Sequence, residues 1–255
     1  MMDSSVRLQV KEVSKAFGGV QAVDELSFSV GRGEIYAVIG PNGAGKTTLF
    51  NLITGIYPLD SGELLVDGEP AHGLYPEQLA QRGISRTFQN MQICMNMSAL
   101  ENVMLGRHRH LSRGFVATML HLPKLRRSER DCHKESLRLL EFVGCAAYAE
   151  ASAAALPYGA LKRLEIARAL ATEPSILFLD EPAAGLNTTE TAEIERLIGA
   201  IAAQGVSIVL VEHDMKLVMS IAERILVLDY GRRLAEGTPQ QVRQNPDVIA
   251  AYLGS

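Results

Sequence analysis

The stretch GPNGAGKTT, residues 40–48, fits the pattern G-x-x-x-x-G-K-[ST] and lies between an apolar run, IYAVI at 35–39, and a run of good helix formers. That context suits a loop that grips polyphosphate. Gly40, Gly43 and Gly45, with Asn42 and Ala44 among them, leave room for phosphate oxygens to reach backbone amides. Lys46 supplies a point charge to the β and γ phosphates, and the Thr47 hydroxyl, followed by Thr48, is placed to ligate magnesium. A second acidic site must hold the other side of such a metal. ILFLDE, residues 176–181, supplies it: Asp180 ends an apolar strand, where ligands of open α/β sheets gather, and Glu181 follows. Phosphoryl transfer asks a protein mainly to position groups and neutralise charge, so Asp180 suits magnesium and Glu181 suits orienting or deprotonating water. In isolation an acidic pair at a strand end is a solvated loop, but beside a phosphate loop it becomes a metal and water site.

A third stretch, LPYGALKRLEIARAL at 156–170, sets Pro157 and Gly159 immediately before helix formers. On the residues alone two readings stand. The pair is a turn that opens a surface helix, or the bare amides of Gly159 and the helix behind it face an anion, since the first N–H groups of a helix have no internal partner.

The elements that must position these groups follow from periodicity. LSFSV at 26–30 alternates like a half-buried strand, whereas IYAVI is apolar throughout, as in a strand covered on both faces. KTTLFNLITG predicts a helix closed by Gly55, and SGELLVDGEP another short strand. From about 74 to 155 the chain turns mostly helical. Ser98 and Glu101 form a capping box, and 128–143 reads as an amphipathic helix stopped by Gly144. Thereafter strands at 176–180, 207–211 and 225–229 alternate with helices from 161, over 188–204, from 215 and after Pro239, which implies right-handed crossovers and a mainly parallel sheet. The expectation is an α/β core of residues 1–88 and 160–255 with an antiparallel β unit at its start, interrupted by a helical subdomain at 89–159.

Composition narrows the class. At 255 residues, 47% hydrophobic and net charge −4, the chain buries a substantial core and is no general nucleic-acid binder. Its three cysteines, Cys94, Cys132 and Cys145, lack C-x-x-C spacing and read as reduced thiols. MMDSSVRLQV has no apolar signal core, and no run approaches the roughly 20 apolar residues of a membrane span, so any spanning falls to another subunit. Residues 107–134 hold eight Lys or Arg against Glu129 and Asp131. That basic run, with FVATML at 115–120 inside it, is either a solvated face or a surface for membrane subunits or anionic headgroups; without interleaved aromatics it does not suit nucleic acid.

The phosphate loop at 40–48, RTFQN at 86–90, LPYGALKRLEIARAL, ILFLDEP at 176–182, AAGLN at 183–187 and the strand-end His213 stand in the order found in ATP-binding subunits of ABC transporters. The whole chain resembles that family, and the ending NPDVIAAYLG resembles its branched-chain amino acid importers. The resemblance implies a P-loop NTPase fold and an ATPase using ATP and Mg2+. It also implies a second ATP-binding subunit, the same chain or a paralogue, with integral membrane permeases and, indirectly, a substrate-binding protein, at the cytoplasmic face of the membrane. Exporters and urea or amide importers are alternatives within the same chemistry, and a nucleotide-binding scaffold without turnover is one outside it.

It also assigns residues. In this family two subunits face head to tail, so the amides of Tyr158, Gly159 and Ala160 would cap the γ-phosphate held by the partner's loop. Pro157 stands where the family commonly has serine and removes one hydroxyl contact. Gln89 resembles the glutamine that senses magnesium and the attacking water. His213 resembles the switch histidine on the γ-phosphate, and Phe17 the aromatic that stacks on adenine, against a plain core phenylalanine. Asn187 replaces the aspartate of many relatives in the loop that crosses to the partner.

Overall fold

The computed structural model describes residues 5–88, 91–107 and 123–253. Gln89 and the FVATML stretch lie outside them. The chain divides into two compact units, Met1–Arg86 with Ser175–Ser255, and Thr87–Pro174.

The first unit holds two sheets. An antiparallel sheet joins β1 (Val6–Phe17), β2 (Val20–Gly31), β4 (Ser61–Val66) and β5 (Glu69–Pro70) in the order β2-β1-β4-β5. β1 is not announced by the sequence because its register slips. Val10 faces Phe28 while Val13 faces Leu26, and Glu12 between them has φ 49°, so a bulge resets the alternation.

The second sheet is built on β3 (Ile35–Ile39), β6 (Ile84–Arg86), β7 (Ile176–Asp180), β8 (Ser207–Val211), β9 (Arg224–Asp229) and β10 (Arg232–Gly237), ordered β10-β9-β3-β8-β7-β6. All neighbours are parallel except the β9–β10 hairpin. Every residue of β3, β7 and β8 is buried, which accounts for their unbroken apolar runs. β6 and β10 carry no such signal: one is three residues long, the other is a charged edge strand, RRLAEG.

Helices α1 (Lys46–Ile53), α2 (Pro76–Gln81), α6 (Thr188–Ala203), α7 (Met215–Ile221), α8 (Pro239–Gln244) and α9 (Pro246–Leu253) belong to this unit. Phe50 of α1 meets Phe178 of β7 edge-on at 5.1 Å, at the centre of the apolar core. The single helix expected after Pro239 is two, because Pro246 interrupts it and opens the next.

In the second unit, α3 (Ala99–Gly106), α4 (Pro123–Phe142) and α5 (Tyr158–Leu170) pack together. Ser98 Oγ accepts from Glu101 N and Glu101 Oε2 from Ser98 N, so the capping box forms. α3 and α5 approach so closely at Gly106 that a Cβ there would meet Arg168 O at 2.3 Å. α5 starts at Tyr158 rather than Leu161, with Pro157 as its N-cap at φ −58° and ψ 152°. Among the described residues no helix is long and apolar enough to cross a membrane.

Candidate functional site

The glycines of residues 40–48 fold the loop between β3 and α1. Gly40, Gly43 and Gly45 all have positive φ, at 153°, 81° and 99°. At two of them space is as decisive as conformation: a Cβ on Gly40 would meet Leu228 O at 2.2 Å, and one on Gly45 would meet Ala22 O at 2.3 Å. Gly43 has open space around it. β2 and the turn after β9 clasp the loop, since Gly231 N donates to Ala44 O at 3.1 Å and Asp24 N to Gly231 O at 2.9 Å.

Gly45, the N-cap of α1, has no side chain to cap the first-turn amides, so the end of the helix dipole is left for an anion. Asn42, Gly43 and Thr47 are exposed at that end, and Thr48 is half-buried. Lys46 is 7% exposed and folds back, donating from Nζ to Gly40 O at 2.7 Å and Pro41 O at 2.9 Å. Burial lowers its pKa, while the carboxylates of Glu181 and Asp180 act to raise it. The structure therefore gathers Lys46 with the acidic pair, although more than 130 residues separate them in sequence.

Asp180, 3% exposed at the end of β7, accepts from Arg86 Nη2 at 2.8 Å. Glu181, the next residue, has φ 49°, a left-handed conformation that costs a non-glycine residue about 1–2 kcal/mol. Its N–H donates to Val211 O at 2.9 Å, and its Oε1 lies 3.1 Å from His213 Nε2. His213 occupies the step between β8 and Asp214, whose Oδ1 caps α7 by accepting from Lys216 N. Among the described residues no three His, Cys, Asp or Glu converge as a self-sufficient metal cage. Thr47 and Asp180 are hard oxygen donors of the kind Mg2+ takes when substrate phosphates and water complete its shell, so the residues present fit that ion. The uncapped helix end beside Lys46 likewise fits a polyphosphate.

Phe17 is 42% exposed at the end of β1, edge-on to Tyr57 at 5.3 Å and 5.5 Å from Lys15 Nζ; it is not a core residue. Asn187 has a local role, capping α6 by accepting from Thr189 N and Glu190 N at 3.0 Å each. Asparagine and aspartate cap equally well, so this position tolerates either. Tyr158, Gly159 and Ala160 form the first turn of α5 in the second unit, where no side chain caps the helix.

Four participants escape the sequence reading. Arg86 is the ion partner of Asp180. Glu212, 4% exposed, accepts from Ala183 N at 2.7 Å and His213 N at 3.0 Å, pinning the turns after β7 and β8 to each other, and burial raises its pKa. Gly231 braces the phosphate loop. Tyr252 of α9 hydrogen-bonds the backbone of Gly40. Each depends on long-range geometry; only Glu212, set among SIVLVEHD, has a sequence signal, a carboxylate at a buried strand's end.

Comparison with known proteins places this geometry. A family model described as "ABC transporter" matches residues 23–184, and one described as "Branched-chain amino acid ATP-binding cassette transporter" matches 232–255. The chain is 46% identical to the high-affinity branched-chain amino acid transport ATP-binding protein BraF of Pseudomonas aeruginosa, over 97% of each chain. It is 44% identical to LivG of Escherichia coli K12, a protein of the same description, again over 97% of each. Among solved structures it resembles the ADP conformation of an ATP-binding cassette of an ABC transporter, with TM-score 0.86 and 30% identity over 98% of this chain and 99% of that one. A dimeric post-hydrolysis cassette bound to ADP and Pi matches with TM-score 0.76 and 26% identity, over 91% and 98%. With its phosphate loop, acidic strand end and histidine assembled on a P-loop α/β sheet, the chain belongs to the ATP-binding cassette ATPases of ABC transporters.

Proposed function

We propose that this chain is the ATP-hydrolysing subunit of an importer of branched-chain or other hydrophobic amino acids, working at the cytoplasmic face of the membrane against integral permease subunits. The solute comes from the names of the relatives, and a substrate-binding protein would deliver it. The first unit is the nucleotide-binding core, and the second is a helical subdomain that meets the permease.

One observation carries the chemistry. Glu181 and His213 stand at the ends of adjacent parallel strands and touch through Oε1 and Nε2, beside the lysine of a phosphate loop. In this reading Lys46 and the amides of residues 42–48 hold the β and γ phosphates of ATP, with Gly40 shaping the loop, and Phe17 offers its exposed face to adenine. Thr47 and Asp180, with Gln89, would hold Mg2+, which when bound neutralises charge on the phosphate oxygens. Glu181 orients a water and takes its proton, and His213 holds Glu181 and reaches the γ-phosphate. Tyr158, Gly159 and Ala160 serve the site of a second cassette, whose own helix tip completes this one.

The test is Glu181→Gln. The reading requires ATP binding to persist, phosphate release to fall by about 1,000-fold, and an ATP-stabilised dimer to accumulate. Unchanged turnover would reject Glu181 as base and leave a nucleotide-binding scaffold as the alternative.

A further inference from the structure

Arg86 ends β6 and is the last residue of the first unit before the chain passes into the second. Its side chain is 6% exposed and faces Asp180, which is 3% exposed. Besides the 2.8 Å contact from Nη2 to Asp180 Oδ2, Nη1 donates to Asn51 Oδ1 at 2.6 Å and to Thr54 Oγ1 at 3.2 Å. The guanidinium carbon lies 5.5 Å from the centre of the Phe50 ring. Thr54 Oγ1 donates onward to Phe50 O at 2.7 Å. Apart from Asp180, all these partners lie on α1 or its C-cap, the helix that opens with Lys46 and Thr47. One planar cation thus fixes the spacing between that helix and the strand end bearing Asp180.

A strut alone needs no charge, and a buried pair is rarely better than well-packed apolar residues. Here the charge points at the carboxylate proposed to hold the divalent ion. An incoming cation meets repulsion from Arg86 and must share Asp180 with it, and over a few ångströms in a partly buried setting that repulsion is substantial. The structure assigns Arg86 as a positioning residue of the cation site. Its charge moderates how tightly a divalent ion binds at Asp180, and its fork holds Asp180 at a set distance from α1. A lysine would keep the charge but not the fork. The inference rests on the reading of Asp180 as a cation ligand.

The experiment measures binding of trinitrophenyl-ADP to the full chain at pH 8, with magnesium and with a chelator; the ratio of the two affinities reports the cation's contribution without turnover. In Arg86→Gln the ratio should rise about tenfold, because a neutral residue no longer repels the ion. In Arg86→Lys it should stay within about twofold of wild type while ATP turnover falls about tenfold. A purely structural Arg86 would lower the melting temperature without raising the ratio, and an unchanged or lower ratio in folded Arg86→Gln overturns the assignment. If that variant does not fold, Arg86→Lys decides: wild-type turnover, or an enlarged ratio, overturns it. Asp180→Asn separates the two levels. A ratio unchanged by Asp180→Asn removes the cation-ligand reading itself, whereas a ratio lost there but not raised by Arg86→Gln removes only the role given to Arg86.

Discussion

His213 Nε2 lies 3.1 Å from Glu181 Oε1, across the carboxyl ends of β7 and β8. The contact holds a carboxylate on a backbone with φ 49°, so the site stores strain at the residue proposed to activate water. Glu181→Gly should release that strain and raise stability by up to about 1 kcal/mol, an increase in Tm of roughly 2–4 °C, while turnover disappears. Glu181→Gln keeps the strain and should lose turnover without the gain. Thermal melts beside phosphate release check both, and a Glu181→Gly protein no more stable than wild type would show that the turn is unstrained.

The loop glycines should differ sharply. Gly45→Ala drives a methyl to 2.3 Å from Ala22 O, so it should destabilise the protein by about 3 kcal/mol or more and abolish nucleotide binding. Gly43→Ala meets only the cost of a positive φ, about 1 kcal/mol, with open space around it. Denaturant titrations of the two variants give the comparison, and equal losses would contradict it.

Pro157 caps α5 without a side-chain hydrogen bond. Pro157→Ser supplies the missing acceptor and should add about 1 kcal/mol of stability. If the helix tip also meets the partner's phosphate, the same variant should strengthen ATP-dependent dimerisation about tenfold, through one hydrogen bond to a charged group. Melting temperature and analytical ultracentrifugation separate the two effects.

Glu165 on α5 is 3% exposed, and burial raises its carboxyl above the ordinary value of 4.5, although its Oε1 accepts from Phe88 N at 3.2 Å. A carboxyl with a raised folded pKa contributes stability that is present below pH 4.5 and lost as pH rises through the folded value. Glu165→Gln removes this loss and keeps an acceptor for Phe88. The stability difference between variant and wild type should therefore shift in the variant's favour as pH climbs above 4.5 toward neutrality. Urea denaturation across that range measures it, and a difference independent of pH contradicts the assignment.

What the sequence reveals depends on how local the signal is. The strands β3, β7 and β8 and the loop between β3 and α1 are legible because unbroken apolar runs and a fixed glycine spacing encode them. β1 is hidden by its bulge at Glu12, β6 by its three-residue length and β10 by the charges of an edge strand. The same division runs through the site. Lys46, Asp180 and Glu181 announce themselves by pattern, whereas Arg86, Gly231 and Tyr252 act through residues distant in the chain. RTFQN points to Gln89, which lies outside the described residues; among the described residues of that motif, Arg86 touches Asp180.

Turnover per chain as a function of protein concentration, at saturating ATP and magnesium, bears most directly on the claim that two cassettes complete each site. Activity should vanish at high dilution, climb as chains pair and level off once pairing is complete. A constant turnover down to concentrations where sedimentation finds only monomers would show that one chain suffices.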